Sequence, residues 1–192
     1  MVRRRRMVRS FSGRPVERAL VDRLLDAAGR APSAGNTGGV DVVALEGPDE
    51  TAALWESTTT EDWRATARRW PGLRRAPLAV VFYAHPGAYL ARYAESDKEA
   101  SGLDHEEHWP VPYWFVDAGF AALVLLLGAV DAGLGACFLG NFRGEQALAS
   151  RLGVPPGRRY VGTVLLGESG GEDPPSASAA RRRAAAVHRG RW

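Results

Sequence analysis

The stretch that most constrains this chain runs from Trp114 to Phe142 and reads WFVDAGFAALVLLLGAVDAGLGACFLGNF. From Val116 to Leu134 the only charged side chains are Asp117 and Asp131. At about 100° per residue they fall roughly 40° apart on a helical wheel, and Phe120, Leu123, Leu127, Val130 and Leu134 occupy the rest. A helix that is apolar nearly all round is expected to be buried nearly all round. Its unbroken apolar run, Ala118 to Val130, is far short of the ~20 residues a bilayer requires, so the pattern predicts a core helix and no membrane span. Gly133 and Gly135 punctuate its end. Ala136-Cys137-Phe138-Leu139 then reads as a short buried strand, closed by Gly140-Asn141-Phe142.

A chain of 192 residues predicts one domain, 1–192, large enough to bury a substantial core. The net charge of +3 is unevenly spread. Arg3 to Arg6 and Arg9 crowd the start, and Arg181 to Arg183, Arg189 and Arg191 crowd the end. Lys98 is the one lysine among 25 basic residues, a bias of composition that weakens any reading of arginine number alone. A single cysteine excludes an internal disulfide and fits a reducing cytoplasm. No apolar segment follows the basic start, so no signal peptide is expected.

Taken in order, Pro15 to Arg30 carries Leu20, Leu24, Ala27 and Ala28 on one helical face. Ala31 to Gly39 is a loop of small residues, Val40 to Leu45 a β-branched strand, and Pro48 to Glu56 a short helix. Leu78 to Tyr83 (LAVVFY) is apolar throughout and predicts a central strand. His85 to Pro110 is polar and irregular, and its length suggests a lid or substrate loop. Gly144 to Leu152 reads as a helix and Tyr160 to Leu166 as a fourth strand. From about 170 to 192 a Gly-, Pro- and Ser-rich segment predicts an extended arm ending in arginines. Four strands separated by helices and long crossings indicate a mixed α/β or α+β sheet.

Several chemistries are weak here. Asp104-His105-Glu106-Glu107-His108 spaces its histidines at i and i+3, where a zinc protease helix needs i and i+4, so no metal is expected. Gly133-Leu134-Gly135 follows a helix and precedes a strand, the reverse of a dinucleotide loop. Cys137 sits in an apolar run and reads as core. No nucleophile turn accompanies a Ser-His-Asp set. The basic ends suit phosphate contacts, but the N-terminal run has no interleaved aromatics beyond Phe11, and no nucleic-acid motif follows it. Arginine forks around a single phosphate dianion, as on a phosphorylated cofactor, remain open.

Arg5-Arg6-Met7-Val8-Arg9-Ser10-Phe11, with Ala31-Pro32-Ser33-Ala34-Gly35-Asn36 after the first helix, resembles the opening of the nitroreductase family, which reads R-R-S-I-R-K-F and A-P-S-A-G-N. Asp117, the apolar helix, Gly133-Leu134-Gly135 and Gly140-Asn141-Phe142 resemble its G-L-G…G-G-F block. Leu152-Gly153-Val154-Pro155 and Val164-Leu165-Leu166-Gly167 match the next segment, and Arg182-Arg183 with Val187-His188 match its basic arm. The likeness covers all but residues 46 to 112 and rests on order and spacing. It implies an α+β, three-layer fold: a mixed, mostly antiparallel central sheet flanked by helices, in an intertwined homodimer with the apolar helix at its centre.

The resemblance further implies an FMN-dependent oxidoreductase. NAD(P)H would be the electron donor, and a nitroaromatic, quinone or other small conjugated molecule the acceptor, in ping-pong order. Arg5, Arg6 and Arg9, with Arg182 or Arg183, would neutralise the FMN phosphate. Pro32, Ser33 and Asn36 would contact the flavin from the partner subunit, and Gly140 and Asn141 would offer backbone close to its ring. No side chain is required as nucleophile or general base. Trp109, Tyr113 and Trp114 are candidates for the acceptor pocket or for ordinary packing. The alternatives are an FMN-dependent oxidase or dehydrogenase of a natural-product pathway and a non-catalytic flavin-binding module. Met7 replaces the family's serine, Thr37-Gly38-Gly39-Val40 stands where many members have a residue followed by Gln-Pro-Trp, and Arg68-Arg69-Trp70 stands where some have a flavin-contacting Asn.

Overall fold

The computed structural model describes residues 2–66, 70–171, 173 and 185–191. Four strands form one sheet in the order β1-β2-β4-β3, with β1 at Val40–Glu46, β2 at Leu78–Ala84, β3 at Gly135–Leu139 and β4 at Arg159–Gly167. Every neighbouring pair is antiparallel. A single parallel bridge, Met7 to Ala136, adds the N-terminal segment to the β3 edge and gives the sheet its mixed character.

Strand β2 has hydrogen-bonded neighbours on both sides and no exposed residue, as its unbroken apolar sequence predicts. Its side chains alternate between two cores. Leu78, Val80 and Phe82 meet α1 (Arg18–Gly29) and α5 (Tyr113–Asp131) on one face. Ala79, Val81 and Tyr83 meet α2 (Gly47–Thr58) and α6 (Glu145–Arg151) on the other. The sheet is therefore the middle of three layers.

Helices α1 and α5 approach closely where Gly128 faces Leu24; a Cβ at Gly128 would lie 2.8 Å from the leucine methyl. One side of α5 is buried by this contact and by the sheet, through Ala118, Ala121, Ala122, Leu125 and Ala129. The opposite side departs from the sequence reading. Phe120 is 44% exposed and Leu123 47%, and Phe115 and Gly119 are open beside them. The helix is long and apolar enough to cross a membrane, but its Asp117 is buried and hydrogen-bonded against the rest of the domain.

Residues 85–110, read as irregular, contain α4 (Pro86–Tyr93) and two single helical turns, Glu99–Ser101 and Glu106–His108. Pro86 sits in its first turn, where a missing N–H costs nothing. Its inward residues, Pro86, Tyr89, Leu90 and Tyr93, have helical spacing, but only Leu90 is a strong helix former, so the signal is weak. Helix α3 (Glu61–Thr66) follows α2.

Cys137 is fully buried. Burial pushes its thiol up to about 11, against a smaller opposing influence from the Arg9 cation. At pH 8 only about a thousandth of such a thiol is ionised. Iodoacetamide is therefore expected to leave the native protein unlabelled at pH 8 and to label it fully in urea, as mass spectrometry would read.

Candidate functional site

Two separate features collect the residues singled out in the sequence. The first is the loop from Pro32 to Gly39. Asn36 adopts a left-handed conformation, and Ser33 Oγ accepts the Gly38 N–H at 2.9 Å. The loop is held from below by Asp117, only 3% exposed, whose Oδ2 accepts the Ala34 N–H at 2.8 Å and the Tyr89 hydroxyl at 2.7 Å. A buried carboxylate requires such donors. Burial and this bond hold the Tyr89 phenol well above its ordinary range, so it stays a donor.

Helix α4 clamps the same loop from the side. Arg92 Nε donates to the Gly35 carbonyl at 3.1 Å, and its two terminal nitrogens fork onto Asp97 at 2.6 and 2.7 Å. The Tyr89 ring lies where a Cβ on Gly39 would be 2.4 Å away, and Tyr93 covers Gly35 in the same manner. The Thr37-Gly38-Gly39 departure thus has a local cause: no bulky residue at 39 is compatible with Tyr89 in this position. Pro32 and Asn36 remain exposed. Pro32 and Ser33 border a small cavity of about 70 Å³ beside Phe82, on the α1/α5 face of the sheet.

The second feature lies on the α2/α6 face. There Gly140 and Asn141 border an open cavity of about 480 Å³, walled by Trp55, Trp63, Thr59 and Arg143. Trp55 and Trp63 stack at 6.2 Å with 17° between their planes. Arg64 ties α3 to the end of α2 by donating to the Thr59 carbonyl at 2.7 Å. The 140–143 loop is pinned downstream by Gly144 (φ +72°), where a Cβ would lie 1.8 Å from the Ser57 carbonyl. The Tyr160 hydroxyl is hydrogen-bonded to the Thr163 hydroxyl at 3.1 Å. Phe142 projects completely exposed from the loop. Trp55 Nε1 and Asn141 Nδ2 are buried without an acceptor.

The N-terminal arginines divide. Val8 N–H donates to the Ala136 carbonyl at 2.9 Å, which lays the segment along β3. Arg6 turns with Arg4 and Val8 toward a shallow hollow near Gly133 and Gly135. Arg9 stacks its guanidinium 5.0 Å from the centre of the Trp70 ring and donates to the Met7 carbonyl. Arg5 has one buried nitrogen, Nη1, without an acceptor. Met7, in the serine's place, takes the Phe138 N–H on its sulfur at 3.5 Å. Arg182, Arg183, Arg68 and Arg69 lie outside the described residues.

Trp109 and Trp114 pack with Tyr89 in a buried aromatic cluster, and Trp109 Nε1 donates to the Leu103 carbonyl at 2.8 Å. Both are core. In the Asp104–His108 turn, Glu106 is spent on an ion pair with Arg159 at 2.6 Å. Sequence reasoning missed the Trp55–Trp63 wall and the Tyr89–Asp117 link. Asp117 did carry a signal, as a lone charge in the first half of an apolar helix.

The family model described as the nitroreductase family matches residues 2–168. A protein of Archaeoglobus fulgidus, whose name proposes it as an NADH dehydrogenase/NAD(P)H nitroreductase, is 26% identical over the whole of this chain and 97% of its own length. The fold is similar to that of nitroreductase CinD from Lactococcus lactis, solved in complex with chloramphenicol, with a TM-score of 0.69 at 18% identity over 96% of this chain and 97% of that one. It is similar also to an FMN-dependent nitroreductase of Clostridium difficile, with a TM-score of 0.63 at 23% identity over 90% of this chain and 89% of the other. With the three-layer architecture and a family match over nearly its whole length, the chain belongs to the nitroreductase family.

Proposed function

We propose that this chain is an FMN-dependent NAD(P)H oxidoreductase that works as a homodimer and reduces a small conjugated acceptor such as a nitroaromatic or a quinone. The observation that carries the reading is the set of buried donors left without acceptors. Trp55 Nε1 and Asn141 Nδ2 belong to residues bordering one 480 Å³ cavity, in the size range of cofactor sites, while Arg5 Nη1, Tyr83 Oη and Trp114 Nε1 are buried without acceptors elsewhere. Buried donors are normally satisfied, and a ligand rich in acceptor atoms in this cavity would pair the two beside it. The edge of an isoalloxazine and a phosphate supply them.

The residues present therefore fit FMN. Gly140 and Asn141 would border the ring, and Arg5 and Arg9 would face the phosphate, with Arg6, Arg182 and Arg183 as further cations of the same two segments. Bound FMN would supply hydride chemistry between a reduced nicotinamide and the acceptor, and a shared face would make the two alternate in ping-pong order. The chain's own work is to hold, orient and exclude water; no side chain of the site is assigned a proton or a covalent bond.

The homodimer is supported by two observations. The open apolar side of α5, with Phe120 and Leu123, calls for cover. Pro32 and Ser33 line a cavity on the sheet face opposite the Gly140 cavity, so one chain does not bring them together. A second copy packed along α5 would supply the loop of one chain to the cavity of the other. This reading implies the cytoplasm, where reduced nicotinamides are held.

The test is the visible spectrum of the purified protein, repeated anaerobically after NADPH and then NADH. A yellow protein that bleaches supports the proposal. Yellow without bleaching favours the oxidase or a binding module, and a colourless protein that takes up no FMN overturns it.

A further inference from the structure

The arginine-rich opening already holds an anion, and it belongs to the chain itself. Both carboxylate oxygens of Asp173 accept the Arg9 backbone N–H, at 3.0 and 2.9 Å, across 164 residues of sequence. The segment before Asp173 is delivered by a short antiparallel seam. Ser12 N–H donates to the Glu168 carbonyl at 2.9 Å, Phe11 bridges Ser169, and Gly170 N–H donates to the Ser10 carbonyl at 2.8 Å. Among the described residues no guanidinium lies within ion-pair distance of Asp173. The Arg9 side chain is instead turned to the Met7 carbonyl and the Trp70 ring. A carboxylate on a main-chain N–H makes the bond that a phosphate oxygen would make there.

We propose that Asp173 is an internal stand-in for a phosphate monoester: it holds the Arg9 seat in the flavin-free chain and must leave when the phosphate of the cofactor arrives. This rests on the FMN reading above and adds regulation to it. A single N–H serves one anion, and a carboxylate and a phosphate dianion in contact repel. Loading therefore releases Asp173 from the Arg9 N–H, and the apparent affinity is reduced by the fraction of chains with the seat free.

The experiment compares full-length wild type, Asp173→Ala and Glu168→Gln, each stripped of flavin, by fluorescence titration with FMN and with riboflavin, which lacks the phosphate. Asp173→Ala is expected to lower the FMN Kd about tenfold and leave riboflavin unchanged, while Glu168→Gln changes neither. No gain, an equal gain for riboflavin, or an equal gain in Glu168→Gln (a mere charge effect) overturns the proposal. Inorganic phosphate, followed at the Arg9 amide by NMR, gives an independent reading. It is expected to shift that resonance at about tenfold lower concentration in Asp173→Ala, and equal titrations in the two proteins overturn the Asp173 seat. If neither flavin binds any of the proteins, the FMN reading fails and the phosphate titration alone decides Asp173.

Discussion

Leu123→Asp is expected to give a colourless monomer that keeps its fold. In a single chain Leu123 is 47% exposed, so an aspartate there meets water and costs the domain little. Circular dichroism should be unchanged. In a dimer packed along α5 the same carboxylate is buried without a partner, which costs several kcal/mol. Loss of the leucine contact adds about 2 kcal/mol. Together these weaken association by at least about a thousandfold, since each 1.4 kcal/mol is a factor of ten. Sedimentation velocity reads the change directly. Flavin should be lost with the dimer, because Pro32, Ser33 and Asn36 are proposed to reach the Gly140 cavity from another copy. A protein that stays dimeric and yellow sinks the claim that this face of α5 is the subunit interface.

Asp117→Ala should act within the chain instead. It removes the acceptor for the Ala34 N–H and the Tyr89 hydroxyl and leaves both donors enclosed. Hydrogen bonds to a charged group contribute about 1.5–3 kcal/mol each, so a loss of about 3–5 kcal/mol is expected. For a chain of 192 residues that corresponds to a fall in Tm of roughly 10 °C. Asp117→Asn keeps one carbonyl oxygen and should lose far less. The loop that Asp117 supports is the one proposed to reach the partner's flavin, so the alanine variant should also release FMN more readily. Equal Tm values for wild type and Asp117→Ala would show that the two donors find other acceptors.

The elements that were legible in the sequence are those whose signal is local and dense. LAVVFY announces a strand buried on both faces because every residue is apolar and most are β-branched or aromatic. The long helix announces itself through nineteen residues with a charge only at Asp117 and at the end. The order of Ala31–Asn36, Gly133–Gly135 and Gly140–Phe142 pointed to the family without the fold in hand. Helix α4 escaped because it is only eight residues long and opens on Pro86-Gly87, and its strength comes from docking on Gly35 and Gly39.

What the sequence by itself determined is which residues are apolar, where the chain must turn, and that a charge inside an apolar helix needs a partner. It did not determine the partner. Asp117 finds Tyr89 and Ala34 at separations of 28 and 83 residues, and Arg9 finds Asp173 at 164. Periodicity fixes the face a side chain occupies but not what arrives there, because arrival depends on the path of every intervening element. Tertiary structure alone decided that one side of α5 stays uncovered, since α1 and the sheet together wrap only half of a helix. It also put the Pro32 loop on the α1/α5 face and the Gly140 cavity on the α2/α6 face, and the backbone of a single chain does not pass through the sheet between them.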